Sequence, residues 1–352
     1  MKRWILLALV ATLSSHVFAQ DVEGARRLIN EGVALHDQGD FNGAISKYDE
    51  ALTLDKDNLT AMSEKALSLV SQKSYGVAIS VCKKAIKVHR GDKDLNFVYT
   101  AYANALDLSY DHMGAIRVYN QALKHFPDDY QLHFNKGITL AGIEKYDEAI
   151  ECFEKSARIQ PQHASSHAAI GRLQEMQNNY TQSLMAYSRF LVIEPQGSRA
   201  SGNLIFLQGV MKANVEKNDD NNITISLNPD DLDVASSGKR KENDFSGADL
   251  MLSMASALDY DSINKGKSDV QLFMRKMNTL CSYFEETKKG NFGFYWEFYV
   301  PYFIELKEHE LIETFSYLIF ASQEDNQEVQ NWLKANNNSL EKFYDWSSSF
   351  HW

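Results

Sequence analysis

A repeat of about 34 residues constrains the fold of this chain more than any other feature. A small residue recurs with successive spacings of 34, 37, 34 and 34, at Ala44, Ala78, Ala115, Ala149 and Ser183. An aromatic or imidazole ring precedes each by three residues: Phe41, Tyr75, His112, Tyr146 and Tyr180. A bulky side chain or a thiol follows each by four: Tyr48, Cys82, Tyr119, Phe153 and Tyr187. Two short antiparallel helices fill such a unit and bury their apolar faces only by stacking. The pattern predicts five stacked helix pairs.

This pattern resembles the tetratricopeptide repeat family over residues 25–197, about half of the chain. The third unit carries the motif as Tyr99, Tyr102, Ala103, Leu106, Ala115, Tyr119, Ala122 and Pro127. The second unit is the most divergent, with Met62, Ala66, Leu69, Ala78, Cys82 and Ala85. The resemblance implies an all-α, right-handed solenoid of five helix-pair repeats. The 37-residue step coincides with the polar segment 91–94, which begins with glycine and predicts a longer turn between the second and third units.

The first 19 residues have the pattern of a secretory signal peptide. Lys2 and Arg3 precede an apolar run over residues 4–13, and small residues at Val17 and Ala19 indicate cleavage near Ala19-Gln20. The alternative is an N-terminal membrane anchor, but the run is well short of the ~20 residues that a span requires. We therefore expect an exported protein, periplasmic or secreted, without a membrane span. No cysteine lies near the cleavage position, so no lipid anchor is expected.

Three further segments follow the repeats. Residues 198–211 predict a capping helix for the last repeat, since an array must cover its terminal seam. Residues 212–245 are rich in Asn, Asp, Ser and Lys and predict a polar linker, with one short strand at Ile223–Leu227. Residues 246–352 predict a small helical C-terminal domain. This last region is similar to C-terminal regions of exported repeat proteins of the Bacteroidetes, a resemblance that implies no chemistry.

An unusually aromatic helix around Trp296 has two interpretations. Rings spaced three and four residues apart on a helix are typical of a core, which is the interpretation we favour. Exposed rings would instead form a platform for a glycan, so glycan or cell-wall recognition is the alternative function.

Composition and motifs argue against several function classes. The formal net charge is -11 and no basic stripe is present, which argues against nucleic acid and anionic membranes. No catalytic motif is recognisable. His163 and His167 have a spacing that could hold a metal, but no third ligand is apparent. We expect a non-enzymatic protein without a metal or cofactor; an enzyme in the C-terminal domain is the remaining alternative.

In the resembling family, the first helix of each repeat lines a concave groove that binds ligands. The residues expected to face this groove are Ile29, Val33, His36, Leu67, Val70, Phe97, Asn104, Asp107, Phe134, Asn135, Ile138, Arg172 and Met176. Asn104 and Asn135 match asparagine positions of the family members that clamp a peptide's terminal carboxylate. Thr100, Ser165 and Ala169 stand at the cationic positions, so a carboxylate clamp is not expected. The apolar groove predicts a scaffold for a protein or peptide partner, or a groove filled by the chain's own linker or C-terminal helices. The partner and the oligomeric state stay open.

Overall fold

The computed structural model of the chain describes residues 22–218, 222–226 and 241–352. The predicted signal peptide lies outside the described residues. The chain divides into two compact units, and the boundary in the sequence falls between Cys152 and Phe153, inside one helix. The fifth repeat therefore lies in the same unit as the C-terminal helices. Each unit is described separately below.

The first unit is built of repeats, each of which contributes a first helix and then a second helix. The helices are α1 (22–37), α2 (Phe41–Leu54), α3 (Leu59–Ser71), α4 (Tyr75–Val88), α5 (Leu95–Leu108), α6 (His112–Ala122), α7 (Tyr130–Gly142) and the beginning of α8 (Tyr146–Ile159). Asx side chains fix several helix starts by accepting a backbone N–H three residues on, as Asp40 does from Gly43 and Asp129 from Leu132.

The first helix of each repeat ends at a residue with positive φ. These residues are Gly39, Lys73, Tyr110, Glu144 and Asn178, and their spacing is the same as that of the small residues. Beyond them, a backbone N–H returns to a carbonyl five residues earlier, as from Asp111 to Leu106. This left-handed ending reverses the chain tightly enough for the second helix to pack on the first.

Small residues allow the paired helices to approach closely. Ala44, Ala78 and Ala115 have no exposed surface. At Gly32, a Cβ would lie 2.5 Å from a ring atom of Tyr48, so only a hydrogen fits there. The alanines and ring residues of the sequence repeat thus form the core of the array.

The second unit contains the rest of the chain. Its helices are the end of α8, then α9 (Ala164–Met176), α10 (Tyr180–Ile193), α11 (Ser198–Val210), α12 (Ser246–Ala257), α13 (Asp269–Thr287), α14 (Phe294–Glu308), α15 (Ile312–Ile319), α16 (Gln327–Ala335) and α17 (Asn337–Ser349). Strands β1 (Val215–Lys217) and β2 (Ile223–Ile225) pair antiparallel, with Val215 opposite Ile225. The strand predicted in the linker is therefore present over Ile223–Ile225, and over the described residues the fold is all-α apart from this hairpin.

Side-chain contacts fix the starts of two C-terminal helices. A capping box of Ser268 and Gln271 starts α13, because each side chain accepts the backbone N–H of the other residue. Asn326 caps α16, because its side-chain oxygen accepts the backbone N–H of Val329. Pro301 lies inside α14, which continues through it without a division.

Candidate peptide-binding surface on the first helices

Exposed apolar side chains lie on three neighbouring first helices of the first unit. Leu67 is 42% exposed on α3, Phe97 is 55% exposed on α5, and Ile138 is 48% exposed on α7. Helix α5 packs against both α3 and α7, so these side chains belong to adjacent helices. We call Leu67, Phe97 and Ile138 the first-helix surface. Large exposed hydrophobic residues on adjacent elements are a feature of protein-binding faces.

Three polar residues predicted for the groove make contacts within the array. Nδ1 of His36 lies 2.7 Å from Oγ of Ser68 in the next repeat. Oδ1 of Asn104 accepts the hydroxyl hydrogen of Tyr119 over 2.6 Å. The Asp107 carboxylate lies 2.7 Å from Nδ1 of His112. These contacts hold the three side chains in place. Because the Asn104 oxygen is already used, its NH₂ group is the part of the amide that can donate to a partner's carbonyl.

The remaining predicted positions of the first unit are less exposed. Ile29 and Val70 are buried among apolar neighbours, so they support the first helices from within rather than offering surface. Val33, Phe134 and Asn135 are half-buried. A pattern read on one helix could not separate these positions from the exposed ones, because their burial depends on the neighbouring repeat.

Two predicted groove residues belong to the second unit. Met176 is 46% exposed. Arg172 forms an ion pair with Glu175, with an Nη1–Oε2 distance of 2.9 Å, and its guanidinium lies 4.9 Å from the ring centre of Phe206. The cation of Arg172 is thus engaged by α9 and α11 themselves.

The C-terminal helices pack on the fifth repeat, a contact that the sequence analysis left open. Helix α10 is buried along its whole length from Thr181 to Val192. It contacts α9 and α11, and it also contacts α12, α14 and α15. The backbone N–H of Thr181 donates to the Asp249 carboxylate of α12 over 2.7 Å. A second helix buried on every side belongs to the interior of a domain.

Polar side chains of the fifth repeat join it to α14. Nε2 of Gln174 donates to the Tyr295 hydroxyl over 2.6 Å, and the Tyr299 hydroxyl lies 2.6 Å from Nδ1 of His167. Both repeat residues are buried, and His167 stands where earlier repeats have a large packing residue. Gln174, which stands where each earlier repeat has a leucine, was the sequence signal of the contact.

A buried cation marks the centre of the same contact. The Arg189 guanidinium lies 4.3 Å from the Trp352 ring centre and 5.2 Å from that of Tyr302. Its Nη1 donates to Oγ of Ser347 over 3.2 Å. Burial lowers the pKa of Arg189. The aromatic faces attract the cation and partly offset its lost hydration.

The rings of α14 form a core rather than a platform. Trp296 is 2% exposed, stacks on Phe245 at 4.4 Å between ring centres and meets Phe284 edge-on at 5.9 Å. Its indole N–H donates to the carbonyl of Asp244 over 3.0 Å. The favoured core interpretation of Trp296 is confirmed, and α14 offers a glycan no ring surface among its residues Phe294 to Phe303.

The described residues contain neither a metal-binding cluster nor a membrane-spanning helix. Among residues 22–218, 222–226 and 241–352, no group of three or more His, Cys, Asp or Glu side chains is arranged to hold a metal ion. Within the same ranges, no helix combines the length and apolarity that crossing a bilayer requires.

Comparison with known proteins identifies the repeats. Residues 29–94, 111–164 and 134–198 match the tetratricopeptide repeat family, which confirms the predicted repeats over less than half of the chain. A relative in Dictyostelium discoideum, named Protein STIP1 homolog, is 27% identical, and the match covers 35% of this chain and 27% of the relative. Stress-induced-phosphoprotein 1 of Caenorhabditis elegans is 23% identical, with 47% and 51% covered. This chain thus spans between about a quarter and a half of the length of these curated relatives.

Part of this chain is also similar to solved structures. PilF of Pseudomonas aeruginosa is 19% identical to this chain, and the superposition covers 55% of this chain and 85% of that structure with a TM-score of 0.48.

Proposed function

We propose that this protein is an exported, non-enzymatic scaffold that binds a protein or peptide through the first-helix surface. The observation that carries the proposal is the exposure of Leu67, Phe97 and Ile138 on adjacent first helices. Proteins built from tetratricopeptide repeats are generally scaffolds for other proteins, which supports the same function.

The physical basis is the burial of these side chains by a partner. Covering apolar surface is worth roughly 25 cal/mol per Å², and a few anchor residues usually carry most of an interface's energy. Phe97 is the most exposed residue of the surface and lies on its central helix, so it is the expected anchor. The NH₂ group of Asn104 lies on the same face of α5, where it can bind a carbonyl of the partner's backbone.

The test compares two double variants of the full chain in a crosslinking pull-down from the native envelope. Phe97→Ala with Ile138→Ala removes the surface, and binding should weaken by roughly 1–3 kcal/mol for each anchor. Val77→Ala with Met113→Ala is the matched control, because Val77 and Met113 are similarly exposed, at 53% and 51%, on second helices. Melting curves of both should stay close to that of the parent.

Equal recovery of partners by the two double variants would exclude the first-helix surface. A large fall in melting temperature for the Phe97 and Ile138 variant alone would show that another part of the chain already covers these residues.

The export part of the proposal rests on residues 1–19 alone. Fractionation of cells that produce the full chain should place the processed protein outside the cytoplasm, with an N-terminus near Gln20. An unprocessed protein in the cytoplasmic fraction would contradict export without affecting the binding proposal.

A further inference from the structure

A second concave feature lies at the long turn between α4 and α5. A cavity of about 960 Å³ is lined by the end of α4, the turn, one face of α5 and the end of α6. All of its lining residues belong to the first unit. Its volume lies in the range of pockets that hold drug-sized ligands.

The turn that borders this cavity is where the repeat spacing becomes 37 residues. Helix α4 ends at Val88 and α5 begins at Leu95. Gly91 has a φ of +85°, and the Asp92 carboxylate accepts the backbone N–H of Asp94 over 2.9 Å. The added residues therefore form an ordered turn at the edge of the cavity.

The rim of the cavity is cationic although the whole chain is acidic, and this local basic cluster was not predicted from the sequence. Lys83, Lys87, Arg90 and Lys93 line it and are exposed, whereas Asp92 is its one lining carboxylate. Within the described parts of the chain, these four cations form no ion pair; the neighbouring Lys84, by contrast, lies 3.4 Å from Asp57. Four cations beside one carboxylate, in a chain of formal charge -11, form a local positive potential that attracts anionic groups.

The floor of the cavity is apolar and aromatic. The rings of Tyr99 and Phe126 meet edge-on at 6.4 Å between centres, and Nζ of Lys83 lies 5.7 Å from the Tyr102 ring centre. Gln121 donates from Nε2 to the Tyr99 hydroxyl over 3.3 Å. An aromatic floor under a cationic rim fits a ligand that carries both an apolar side chain and negative charge.

This cavity is distinct from the first-helix surface. Successive residues of an α-helix are about 100° apart around its axis. Tyr99 and Tyr102 therefore lie on the face of α5 opposite Phe97 and Asn104. A ligand in the cavity and a partner on the first-helix surface can bind α5 from opposite sides.

We propose that the cavity binds an acidic peptide segment. Its carboxylates pair with Lys87, Arg90 and the other rim cations, and an aromatic or aliphatic side chain of the peptide packs on the half-buried rings of Tyr102 and Phe126. Charge complementarity selects a carboxylate-rich ligand. The apolar floor additionally selects a ligand that has an apolar side chain. The scaffold would thus recognise two features of its binding partners, one on each face of the array.

The test measures fluorescence anisotropy of a labelled peptide, Glu-Asp-Glu-Phe-Glu-Asp, with the full chain. Lys87→Glu with Arg90→Glu should weaken binding by roughly tenfold or more, since reversed charges repel the carboxylates. Lys56→Glu with Arg117→Glu is the matched control, because it changes the net charge equally at exposed positions outside the cavity. The control, and Phe97→Ala on the opposite face of α5, should bind like the parent. Melting curves establish that the charge variants fold.

Four results would overturn the proposal. They are the absence of peptide binding to the parent, an equal loss in the control, unchanged affinity when serine replaces the peptide's phenylalanine, and displacement of the peptide by inorganic phosphate at equal concentration. In addition, loss of peptide binding in Phe97→Ala would overturn the proposal by placing the ligand on the first-helix surface.

Discussion

The Tyr299 hydroxyl lies 2.6 Å from Nδ1 of His167, a residue 132 positions earlier in the chain. Nε2 of the same imidazole lies 3.0 Å from the carbonyl of Pro161, which can only accept, so Nε2 carries the hydrogen. Nδ1 of the neutral ring then accepts the hydrogen of Tyr299. Burial, with a smaller effect of the nearby Arg189 cation, lowers the pKa of His167 to about 3. The neutral imidazole thus connects the fifth repeat to α14.

The lowered pKa of His167 predicts an acid-sensitive second unit. The unfolded chain binds a proton at this residue near pH 6.5, whereas the folded chain does not until about pH 3. The contribution of His167 to the free energy of unfolding is therefore fully present above pH 6.5, and it falls by about 1.4 kcal/mol per pH unit below that value. Denaturant unfolding should show a loss of roughly 2 kcal/mol between pH 6.5 and 5.

His167→Gln removes this titration. The variant should have a flatter pH profile over that interval, even if it is less stable at pH 7. His125→Gln, at an exposed position of the first unit, is the control and should keep the slope of the parent. Parallel profiles for the parent and His167→Gln would contradict the assignment.

Trp296→Ala should destabilise the full chain by about 3–5 kcal/mol, because a buried ring leaves a cavity among Phe245 and Phe284. The loss of its hydrogen bond also leaves the Asp244 carbonyl without this donor. Denaturant unfolding of the full chain measures the effect, since α14 packs on the fifth repeat. A change below about 1 kcal/mol would show that the ring is not part of a tight core.

Two helical glycines should respond oppositely to alanine. At Gly171, a Cβ would lie 2.7 Å from a ring atom of Tyr187, so Gly171→Ala should lower the melting temperature. At Gly202 of α11, a Cβ meets nothing within 4 Å, so Gly202→Ala should stabilise the helix by about 0.5–1 kcal/mol. Thermal melts of the two variants give the signs, and a stabilised Gly171→Ala would refute the close packing of α9 on α10.

Truncation after Met211 should destabilise the fifth repeat even though α11 remains. The truncated chain lacks α12, α14 and α15 and therefore exposes one face of α10, which is buried throughout in the full chain. We expect a lower melting temperature and aggregation. Differential scanning calorimetry and light scattering provide the measurement; a truncated chain as stable and monodisperse as the full one would show that the capping helix suffices.

The sequence alone predicted the helices of the repeats and their order. Contacts such as those of Ala44 within its own helix pair recur in every repeat. The spacing of small and bulky residues in the sequence therefore predicts the helix pairs. It also identified the long turn at Gly91 and the core role of Trp296, because a turn and an amphipathic pattern are local properties. The domain boundaries, the signal peptide and the use of the groove stay predictions.

Only the tertiary structure decided how the end of the array is covered and which groove positions are exposed. Ile29 and Val70 fit the same helical pattern as Leu67, yet neighbouring repeats bury the first two and leave the third exposed. Likewise, the hydrogen bond of His167 with Tyr299 and the rings around Arg189 join residues more than 100 positions apart. The helical period of a sequence shows which residues share one face of a helix. Whether that face is buried depends on which other helix packs against it, and this is determined by the fold of the whole chain.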